Sequence, residues 1–568
     1  MTLYREVSGV VTRISYISGA VLESDQYASI NSPAAWVSTA DATASGGLAM
    51  LAGTAGGILS YSVDFSDIGT YWVTLRGKGT GNLDQTNAVS LALGGATQTD
   101  NLGWSLGYSW NSAQGAMPVT IVKPGVYTLT VTSVDTGFAL DEISVQSAAT
   151  TRPGDGRAQR AADFLDSLGV NTHIGYVDTA YANSQLVFKE LNYLGVHNIR
   201  DGVAGPSMDY LINNGIKMLV VADRRGDAYG PNWLLGQLEA HATGILGVEG
   251  PNESDNPGWE VTYKGEVGLP ALAALQADLY RAVHASTALN SNGKVTPVIG
   301  PSLGWSAQDQ VGDLGAFADY ANLHSYAQNG DAPSLSLANG LAQVQHSVDG
   351  KAVWITETGY DSNATAYWGV SEAVQGKYTP RVYLTDFVEG SPHTFVYELM
   401  DWKMSASGAD TGGSGLFEAD GTPRPAAVQL HNLTTELADT GAQAAGFTPG
   451  ELHYVLSGMP SSGEDLLLQR SDGTFLLVLW NDVKGWSANA SNAQDLSTHA
   501  DLAVASVPIS ITLPAGYKAQ ALYDTQSGTS TALSDPLHPS LNLPDNAVVL
   551  EIVRTALGET PPAPADVT

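Results

Sequence analysis

The feature that most restricts the fold of this sequence is a regular alternation of strand-like and helix-like segments across residues 158–436. Helical patterns such as NSQLVFKELNYLG and PALAALQADLYRAVHAS separate short apolar runs that are typical of buried strands. Eight such units over about 250 residues predict a (β/α)8 TIM barrel. An open doubly wound sheet has the same alternation and stays an alternative, although no glycine-rich nucleotide loop follows the first strand. The eight predicted strands are residues 170–176, 196–202, 217–223, 245–253, 295–302, 320–326, 352–360 and 393–402.

The two flanks of this region have a different pattern, and 568 residues are too many for one core. Residues 1–150 contain short β-branched and aromatic runs such as GVYTLTVTSVD, which predict an N-terminal β jelly roll. Residues 440–556 return to this pattern and predict a C-terminal β-sandwich. The polar stretch TTRPGDGR at 150–157 predicts a linker, and the proline-rich tail at 557–568 predicts disorder. The predicted fold class is therefore a multidomain protein with a TIM barrel between two β domains, the barrel spanning residues 158–436.

The charge balance excludes several classes of partner. The chain has 57 acidic and 25 basic residues, a net charge of −32, so its surface repels phosphate backbones and nucleic-acid binding is not expected. No apolar run is long enough to span a bilayer. An acidic surface offers no obvious interface, so the sequence leaves the oligomeric state open.

The absence of cysteine excludes disulfides, thiolate metal sites and a cysteine nucleophile. Cysteine-free composition fits an exported bacterial protein, and a secreted location is the expectation. The first residues, MTLYREVSGVVTRIS, contain no visible signal peptide.

Polar and aromatic residues recur at the ends of the predicted barrel strands, where the chemistry of TIM barrels lies. The fourth strand ends in Asn252 and Glu253, and the seventh carries Glu357 within WITETGY. Other candidates are His173 on the first strand, Arg200 on the second, His324 and Tyr326 on the sixth, and Trp402 on the eighth.

The two glutamates form the pair that glycoside hydrolysis needs. Glu253 and Glu357 would face each other across the barrel mouth, and retaining enzymes hold two carboxyl groups about 5–5.5 Å apart. One group must be protonated to donate to the leaving oxygen, and the other must be ionised to attack the anomeric carbon. Mutual repulsion of two close carboxylates raises the pKa of one of them.

The neighbouring candidates have predicted substrate-binding and positioning roles. Arg200 would keep the nucleophile ionised, and Asn252 would hydrogen-bond the 2-hydroxyl group of the sugar. His324 and Tyr326 would orient the nucleophile, while Trp402 would offer a flat apolar platform to a sugar ring. Because histidine-rich metal spacing is absent, no metal or other cofactor is expected in catalysis.

The motifs GPNES, LHSY and WITETGY, followed by GLFEADGTPRPAA at 415–427, resemble those of clan A retaining glycoside hydrolases. A barrel followed by a β-sandwich most resembles family 39, which includes β-xylosidases, iduronidases and hydrolases of bacterial exopolysaccharides. The resemblance covers residues 160–435 and implies that Glu253 is the acid/base and Glu357 the nucleophile. The polar stretch SDNPGW after Glu253 is unusual, so no substrate preference is transferred.

The N-terminal region is similar to jelly-roll carbohydrate-binding modules related to families 6 and 35. VLESDQYA resembles their first strand and FALDEISV their last. The resemblance implies a structural calcium site at Glu23, Asp25 and Asp141, since hard cations bind several oxygens. Aromatic residues in NLGWSLGYSWNS are candidates for stacking on sugars, namely Trp104, Tyr108 and Trp110.

Together these features predict a retaining glycoside hydrolase that acts on a polysaccharide, with endo action on a bacterial exopolysaccharide or a plant cell-wall glycan as one form. The sugar and its linkage stay open. A non-catalytic carbohydrate-binding protein and a transglycosylase on the same scaffold are the alternatives.

Overall fold

The computed structural model describes most of the chain between residues 2 and 555. Among the described residues, no helix combines the length and the apolar character needed to cross a membrane. The predicted disordered tail at 557–568 lies outside the described residues. Also outside them are residues 8–9, 16–19, 25–26, 28, 31–34, 42–43, 45–47, 66–68, 80–84, 95–98, 105–110, 113–116, 122–124, 148–149, 155, 292, 328–329, 365–368, 403–411, 461, 488–498 and 556.

In the described part of the N-terminal region, the strands form two antiparallel sheets of seven strands each. Along Ile58–Phe65, alternate side chains Leu59, Tyr61 and Val63 are buried, which is the period-two pattern of a strand with one face on a core. The first sheet contains Thr2–Val7, Val10–Ser15, Ser29–Ile30, Ile58–Phe65, Gln85–Leu93, Thr99–Trp104 and Gly125–Ser133. The second contains Ala20–Glu23, Trp36–Ala40, Leu48–Ala52, Gly69–Gly79, Asn111–Ser112, Met117–Ile121 and Phe138–Ser147.

The predicted calcium residues are only partly described. Glu23 ends the strand Ala20–Glu23, but its side chain lies outside the described part of the structure, as does the whole of Asp25. Asp141 is fully buried and forms an ion pair with Arg76. Arg76 binds the Oδ2 atom of Asp141, and the calcium site stays a prediction.

The predicted aromatic platform of the N-terminal region is also outside the description. Trp104 ends the strand Thr99–Trp104, although its side chain is not described, and Tyr108 and Trp110 lie outside the described residues.

The described residues of the central region form an eight-stranded parallel barrel, as the alternation of segments predicts. Seven neighbouring pairs form a continuous sheet, and a parallel bridge between Ile299 and Tyr320 joins its two edges. The open doubly wound alternative is therefore wrong. The barrel strands are β1 (Leu168–Asn171), β2 (Asn198–Asp201), β3 (Lys217–Val221), β4 (Ile245–Glu249), β5 (Val298–Ile299), β6 (Ala321–Ser325), β7 (Val353–Thr358) and β8 (Thr394–Val396).

Helices surround the barrel, and their ends follow local sequence signals. In α2, the side chain of Asn183 accepts a hydrogen bond from the Leu186 amide, and Gly195 ends the helix in a left-handed conformation. The helices are α1 (Ala161–Ser167), α2 (Ser184–Leu194), α3 (Gly205–Asn213), α4 (Gly226–Tyr229), α5 (Pro231–Leu238), α6 (Leu269–Ala285), α7 (Trp305–Gln308), α8 (Ser334–Val344), α9 (Glu372–Val388) and α10 (Pro425–Leu437). Shorter elements are the 3-10 helices Ala180–Ala182, Glu239–Gly244 and Gly315–Phe317, and a hairpin of Thr262–Tyr263 and Glu266–Val267.

The described residues of the C-terminal region form two larger sheets that also include segments from before the barrel. Thr150–Pro153 pairs with Val455–Met459, and Gln159–Arg160 pairs with Gly463–Gln469. Residues 150–153 are therefore a strand of the C-terminal sheet, and the prediction that 150–157 is only a linker is wrong. The four-stranded sheet also contains Val507–Thr512 and Ser540–Leu543. The six-stranded sheet adds Phe475–Asn481, Tyr517–Asp524, Thr529–Thr531 and Val548–Arg554, and a separate ribbon pairs Trp486–Ser487 with Ala500–Asp501.

Helix α9 is packed between the barrel and the C-terminal sheets. Arg381 on α9 is fully buried and donates to Asp482 Oδ1 through Nε at 2.9 Å and Nη2 at 2.5 Å. Lys377, one turn earlier, contacts both carboxylate oxygens of Asp545 at 2.9 Å. Buried arginine–carboxylate pairs are costly to break, so the C-terminal region is fixed against this side of the barrel.

Candidate active site

Most of the predicted site residues meet at the carboxyl edge of the barrel. Arg200 lies on β2, Asn252 and Glu253 on the loop after β4, His324 on β6 and Glu357 on β7. Each makes at least one direct polar contact with another member of this set. Parallel barrel strands bring these residues together although more than 150 positions separate Arg200 from Glu357 in the sequence.

Arg200 is the centre of the hydrogen-bond network and is 5% exposed. Its Nη1 donates to Glu357 Oε1 at 2.6 Å and to Asn171 Oδ1 at 2.9 Å, and its Nη2 donates to Asn252 Oδ1 at 2.6 Å. Burial alone would lower the pKa of this guanidinium, but the charges of Glu249 and Glu357 raise it above its usual value. Arg200 is therefore a permanent positive charge beside Glu357.

Glu249, which the sequence analysis did not single out, is the second carboxylate on Arg200. Its two oxygens accept hydrogen bonds from Arg200 Nε at 2.6 Å and Nη2 at 2.7 Å, and it is completely buried. Asn322 Nδ2 also donates to Glu249 Oε1 at 2.9 Å. This bidentate pair fixes the orientation of the guanidinium, so that Nη1 points at Glu357.

Glu357 is held as an anion by its neighbours. Tyr326 donates its hydroxyl to Glu357 Oε2 at 2.9 Å, while Arg200 binds the other oxygen. Burial favours the neutral acid, but the charges of His324 and Arg200 together with these two hydrogen bonds lower the pKa of Glu357. Burial and the charge of Glu357 raise the pKa of Tyr326 well above its usual value, so this hydroxyl keeps its proton and remains a donor.

Glu253 has a different environment from Glu357. Its side chain is 37% exposed, against 12% for Glu357. Strand β4 ends at Glu249, so the prediction that residues 245–253 form one strand is wrong at its end. Glu253 lies in the following loop at φ +40°, a left-handed conformation that is uncommon for residues other than glycine. Its backbone amide donates to Ser302 Oγ at 3.0 Å, and Asn256 Nδ2 donates to its Oε2 at 3.1 Å.

His324 lies between the two glutamates. Its Nδ1 is 2.8 Å from Glu253 Oε1 and 3.5 Å from Glu357 Oε2, so its closer contact is with Glu253, whereas the sequence analysis paired it with the nucleophile. One oxygen of each glutamate and one nitrogen of His324 lie within 4.8 Å of one another. These three groups could in principle ligate a metal, but the fixed charge of Arg200 on Glu357 opposes a divalent cation there.

A second cluster, on the wall formed by β1 and β8, contains the other two predicted residues. His173 Nε2 is 3.0 Å from the Tyr397 hydroxyl and 3.5 Å from Glu398 Oε2. Burial lowers the pKa of His173 to about 4, so its ring is neutral at neutral pH. Trp402 is half-buried and meets the Tyr176 ring edge-on at 5.5 Å.

Two acidic residues, Glu398 and Asp201, support this wall. Burial raises the pKa of Glu398 to about 8, and Tyr181 donates to its Oε2 at 2.9 Å. Asp201 accepts hydrogen bonds from Thr172 Oγ1 at 2.8 Å and from the Ile174 amide at 2.7 Å. Asp201 thereby binds the side chain of Thr172 before His173 and the backbone of Ile174 after it.

A cavity of about 280 Å³ adjoins the acid-bearing side of this edge. It borders Glu253, His324 and Tyr326, and it extends towards Gln308 on α7 and Gln343 on α8. The glutamate pair therefore has open volume on the side of Glu253.

No protein-family model matches the chain, and no curated protein matches it. Among solved structures, a family 39 glycoside hydrolase from the gut symbiont Bacteroides cellulosilyticus WH2 is 15% identical with a TM-score of 0.45 and covers 88% of this chain and 98% of its own. A family 39 enzyme from Xanthomonas axonopodis pv. citri is 14% identical with a TM-score of 0.44 and covers 70% of this chain and 96% of its own.

The chain also resembles a carbohydrate-binding module among the solved structures. The C-terminal family 6 carbohydrate-binding module of a marine laminarinase from Zobellia galactanivorans is 18% identical with a TM-score of 0.18, and it covers 23% of this chain and 99% of its own. The resemblance to family 39 and to a family 6 module that the motifs predict is thus confirmed as a resemblance. The chemistry of the site rests on its own geometry.

Proposed function

We propose that the chain is a retaining glycoside hydrolase that cleaves a polysaccharide by double displacement. The observation that carries this proposal is the glutamate pair, whose nearest carboxylate oxygens lie within 4.8 Å. This spacing fits the shorter carboxyl separation of retaining enzymes rather than the 6.5–9.5 Å or so of inverting enzymes. The two glutamates also have different surroundings, as two-step hydrolysis requires. Glu357 is bound by Arg200 and Tyr326, whereas Glu253 is more exposed.

In the first step, Glu357 attacks the anomeric carbon while Glu253 donates its proton to the departing glycosidic oxygen. The lowered pKa of Glu357 and its contacts with Arg200 and Tyr326 support its role as the nucleophile. The exposed carboxyl of Glu253 is accessible to a leaving group, which supports its role as the acid. A covalent glycosyl-enzyme forms, and the aglycone leaves with the proton of Glu253.

In the second step, Glu253 accepts a proton from water while the water oxygen attacks the anomeric carbon and Glu357 departs. Two inversions give net retention of configuration. Because Asn252 Oδ1 is bound by Arg200, its amide NH2 group is the part that can donate to the 2-hydroxyl group of the sugar. His173, Tyr397 and Trp402 would contact the sugar on the opposite wall.

A polymeric substrate is proposed because the N-terminal region resembles a carbohydrate-binding module. A tethered module raises the local concentration of the catalytic site near a polysaccharide. Hydrolysis of a polysaccharide fits a protein that bacteria secrete. The proposed substrate is a bacterial exopolysaccharide or a plant cell-wall glycan.

The test compares the wild type with Glu357→Gln on a panel of bacterial and plant polysaccharides. Mass spectrometry of the products should detect oligosaccharides from the wild type alone, and NMR should show that the first-formed product keeps the anomeric configuration of the substrate. Glu266→Gln is the matched control, because Glu266 is exposed on the hairpin Thr262–Val267 and should keep full activity.

Four outcomes would contradict the proposal. Full activity of Glu357→Gln would exclude Glu357 as the nucleophile, and an inverted first product would exclude double displacement. Binding without any product would favour the non-catalytic carbohydrate-binding alternative. Products longer than the substrate would instead identify a transglycosylase with the same residues.

A further inference from the structure

The loop that follows β4 connects Glu253 with an exposed tryptophan. The Asn256 amide donates to the Glu253 carbonyl at 3.0 Å, and the Trp259 amide donates to the Asn256 carbonyl at 2.9 Å. Two successive turns therefore lead from Glu253 to Trp259. Trp259 is 51% exposed, which is unusual for the largest apolar side chain.

The position of Trp259 is fixed by the neighbouring loop after β3. The Thr262 amide donates to the Arg224 carbonyl at 3.0 Å, and the Arg224 guanidinium lies 5.7 Å from the centre of the Trp259 ring. This distance is within the range of cation–π contacts. The guanidinium thus helps to hold the exposed ring in one orientation.

The chemistry of the glutamate pair tells which part of a substrate would reach this ring. Glu253 protonates the departing oxygen, so the leaving-group portion of the chain must lie against Glu253 rather than against Glu357. The Trp259 loop begins at Glu253, and Asp255 and Asn256 of this loop line the cavity beside Glu253. The next sugars on the leaving-group side would therefore pass over this loop.

We propose that Trp259, positioned by Arg224, is a binding platform for a sugar ring on the leaving-group side of a polysaccharide. This inference rests on the proposed function, because the direction of the chain is set by the roles of Glu253 and Glu357. The apolar face of a pyranose stacks on the indole ring, and the Arg224 guanidinium offers hydrogen-bond donors to hydroxyl groups at its edge.

The experiment compares Trp259→Ala and Trp259→Phe with the wild type on two substrates. One substrate is the polysaccharide of the panel that the wild type hydrolyses fastest, and the other is a 4-nitrophenyl glycoside of the same glycone. The nitrophenyl group ends next to Glu253 and would not reach Trp259. Trp259→Ala should lower kcat/KM on the polysaccharide by about tenfold, mainly through KM, and leave the nitrophenyl substrate unchanged.

Controls separate binding from folding. Trp259→Phe keeps an aromatic face and should recover most of the polysaccharide activity. Trp233→Ala removes another exposed tryptophan, on α5, and should resemble the wild type on both substrates. Equal losses on both substrates for Trp259→Ala would mean that Trp259 only positions Glu253, and no loss on either would also overturn the inference.

A binding measurement distinguishes failure of this inference from failure of the proposed function. Affinity electrophoresis of Glu357→Gln, with and without Trp259→Ala, through gels containing barley β-glucan, xylan or galactomannan measures binding without hydrolysis. Weaker retardation with Trp259→Ala supports the platform even if the wild type hydrolyses nothing in the panel, which would refute only the hydrolase. Identical retardation of the two variants in every gel would overturn the platform.

Discussion

Replacing Arg200 by glutamine separates the structural role of this residue from its effect on Glu357. The guanidinium neutralises the fully buried Glu249 and also binds Glu357. Removing one partner of a buried ion pair costs about 3–5 kcal/mol, because the remaining charge has no partner. Arg200→Gln should therefore lower the free energy of unfolding by about this amount, measured by urea denaturation.

The same substitution should change the pH dependence of catalysis. Burial raises the pKa of Glu357, and Arg200 is one of the groups whose contribution outweighs it. Without the guanidinium the pKa rises, so the acidic limb of kcat/KM should move to higher pH. The loss of one hydrogen bond to a charged group, about 1.5–3 kcal/mol, corresponds to a kcat/KM at neutral pH that is lower by about 10- to 160-fold.

The double variant Arg200→Gln/Glu249→Gln decides between the two roles. It removes the buried charge that the single variant leaves without a partner, so most of the lost stability should return. Activity should not return, because Glu357 still lacks its cation. A double variant with wild-type kcat/KM, or an acidic limb that does not move in Arg200→Gln, would refute the argument that Arg200 acts on Glu357.

Three further predictions concern single side chains. Tyr326→Phe removes the donor to Glu357 Oε2 and should lower kcat by about tenfold with a nearly unchanged melting temperature; an unchanged kcat would contradict the role of this hydrogen bond. Burial raises the pKa of Glu190 from 4.5 to about 8, so its contribution to stability is complete below about pH 4.5 and is lost as the pH rises to about 8. Glu190→Gln should therefore gain stability relative to the wild type between pH 5 and pH 8 in thermal unfolding, and a pH-independent difference would show that Glu190 does not titrate in this range. Arg381→Gln leaves Asp482 buried without its cation and should cost about 3–5 kcal/mol in urea unfolding, whereas a cost below about 1 kcal/mol would show that this pair does not hold the C-terminal region.

The barrel was predictable because its strands are short apolar runs and its helices have a helical spacing of apolar residues, and both patterns can be recognised in the sequence. The periodic patterns of α2 and α6 and the short apolar runs between helices correspond to observed elements. The strand ends were less predictable: β4 stops at Glu249 although the apolar pattern and the motif GPNE invite a longer strand. Glycine and proline at 250–251 end the strand, and the chain turns before it reaches Glu253.

The network around the glutamates was only partly predictable. Motifs pointed to Glu253 and Glu357, and position alone suggested Arg200 and Tyr326. Glu249 gave no signal, because a carboxylate inside an apolar run is recognisable as functional only when its buried partner is known. His324 Nδ1 is 2.8 Å from Glu253 and 3.5 Å from Glu357. No sequence pattern predicts such a small difference between two distances.

The pairing of Thr150–Pro153 and Gln159–Arg160 with C-terminal strands makes the barrel an insertion between strands of the C-terminal sheets. Strands of these sheets come from both sides of the barrel in the sequence, at Thr150–Pro153 and Val455–Met459. The segments that enter and leave the barrel are therefore joined to each other by strand pairing. During synthesis, Thr150–Pro153 cannot pair until about 300 further residues have been made, because its partner is Val455–Met459. In the same way, Arg381 on α9 cannot form its ion pair until Asp482 has been made. A fragment that ends after α10 would lack both sets of partners, so the natural unit of folding for the barrel extends from residue 150 to the last strand at Val548–Arg554.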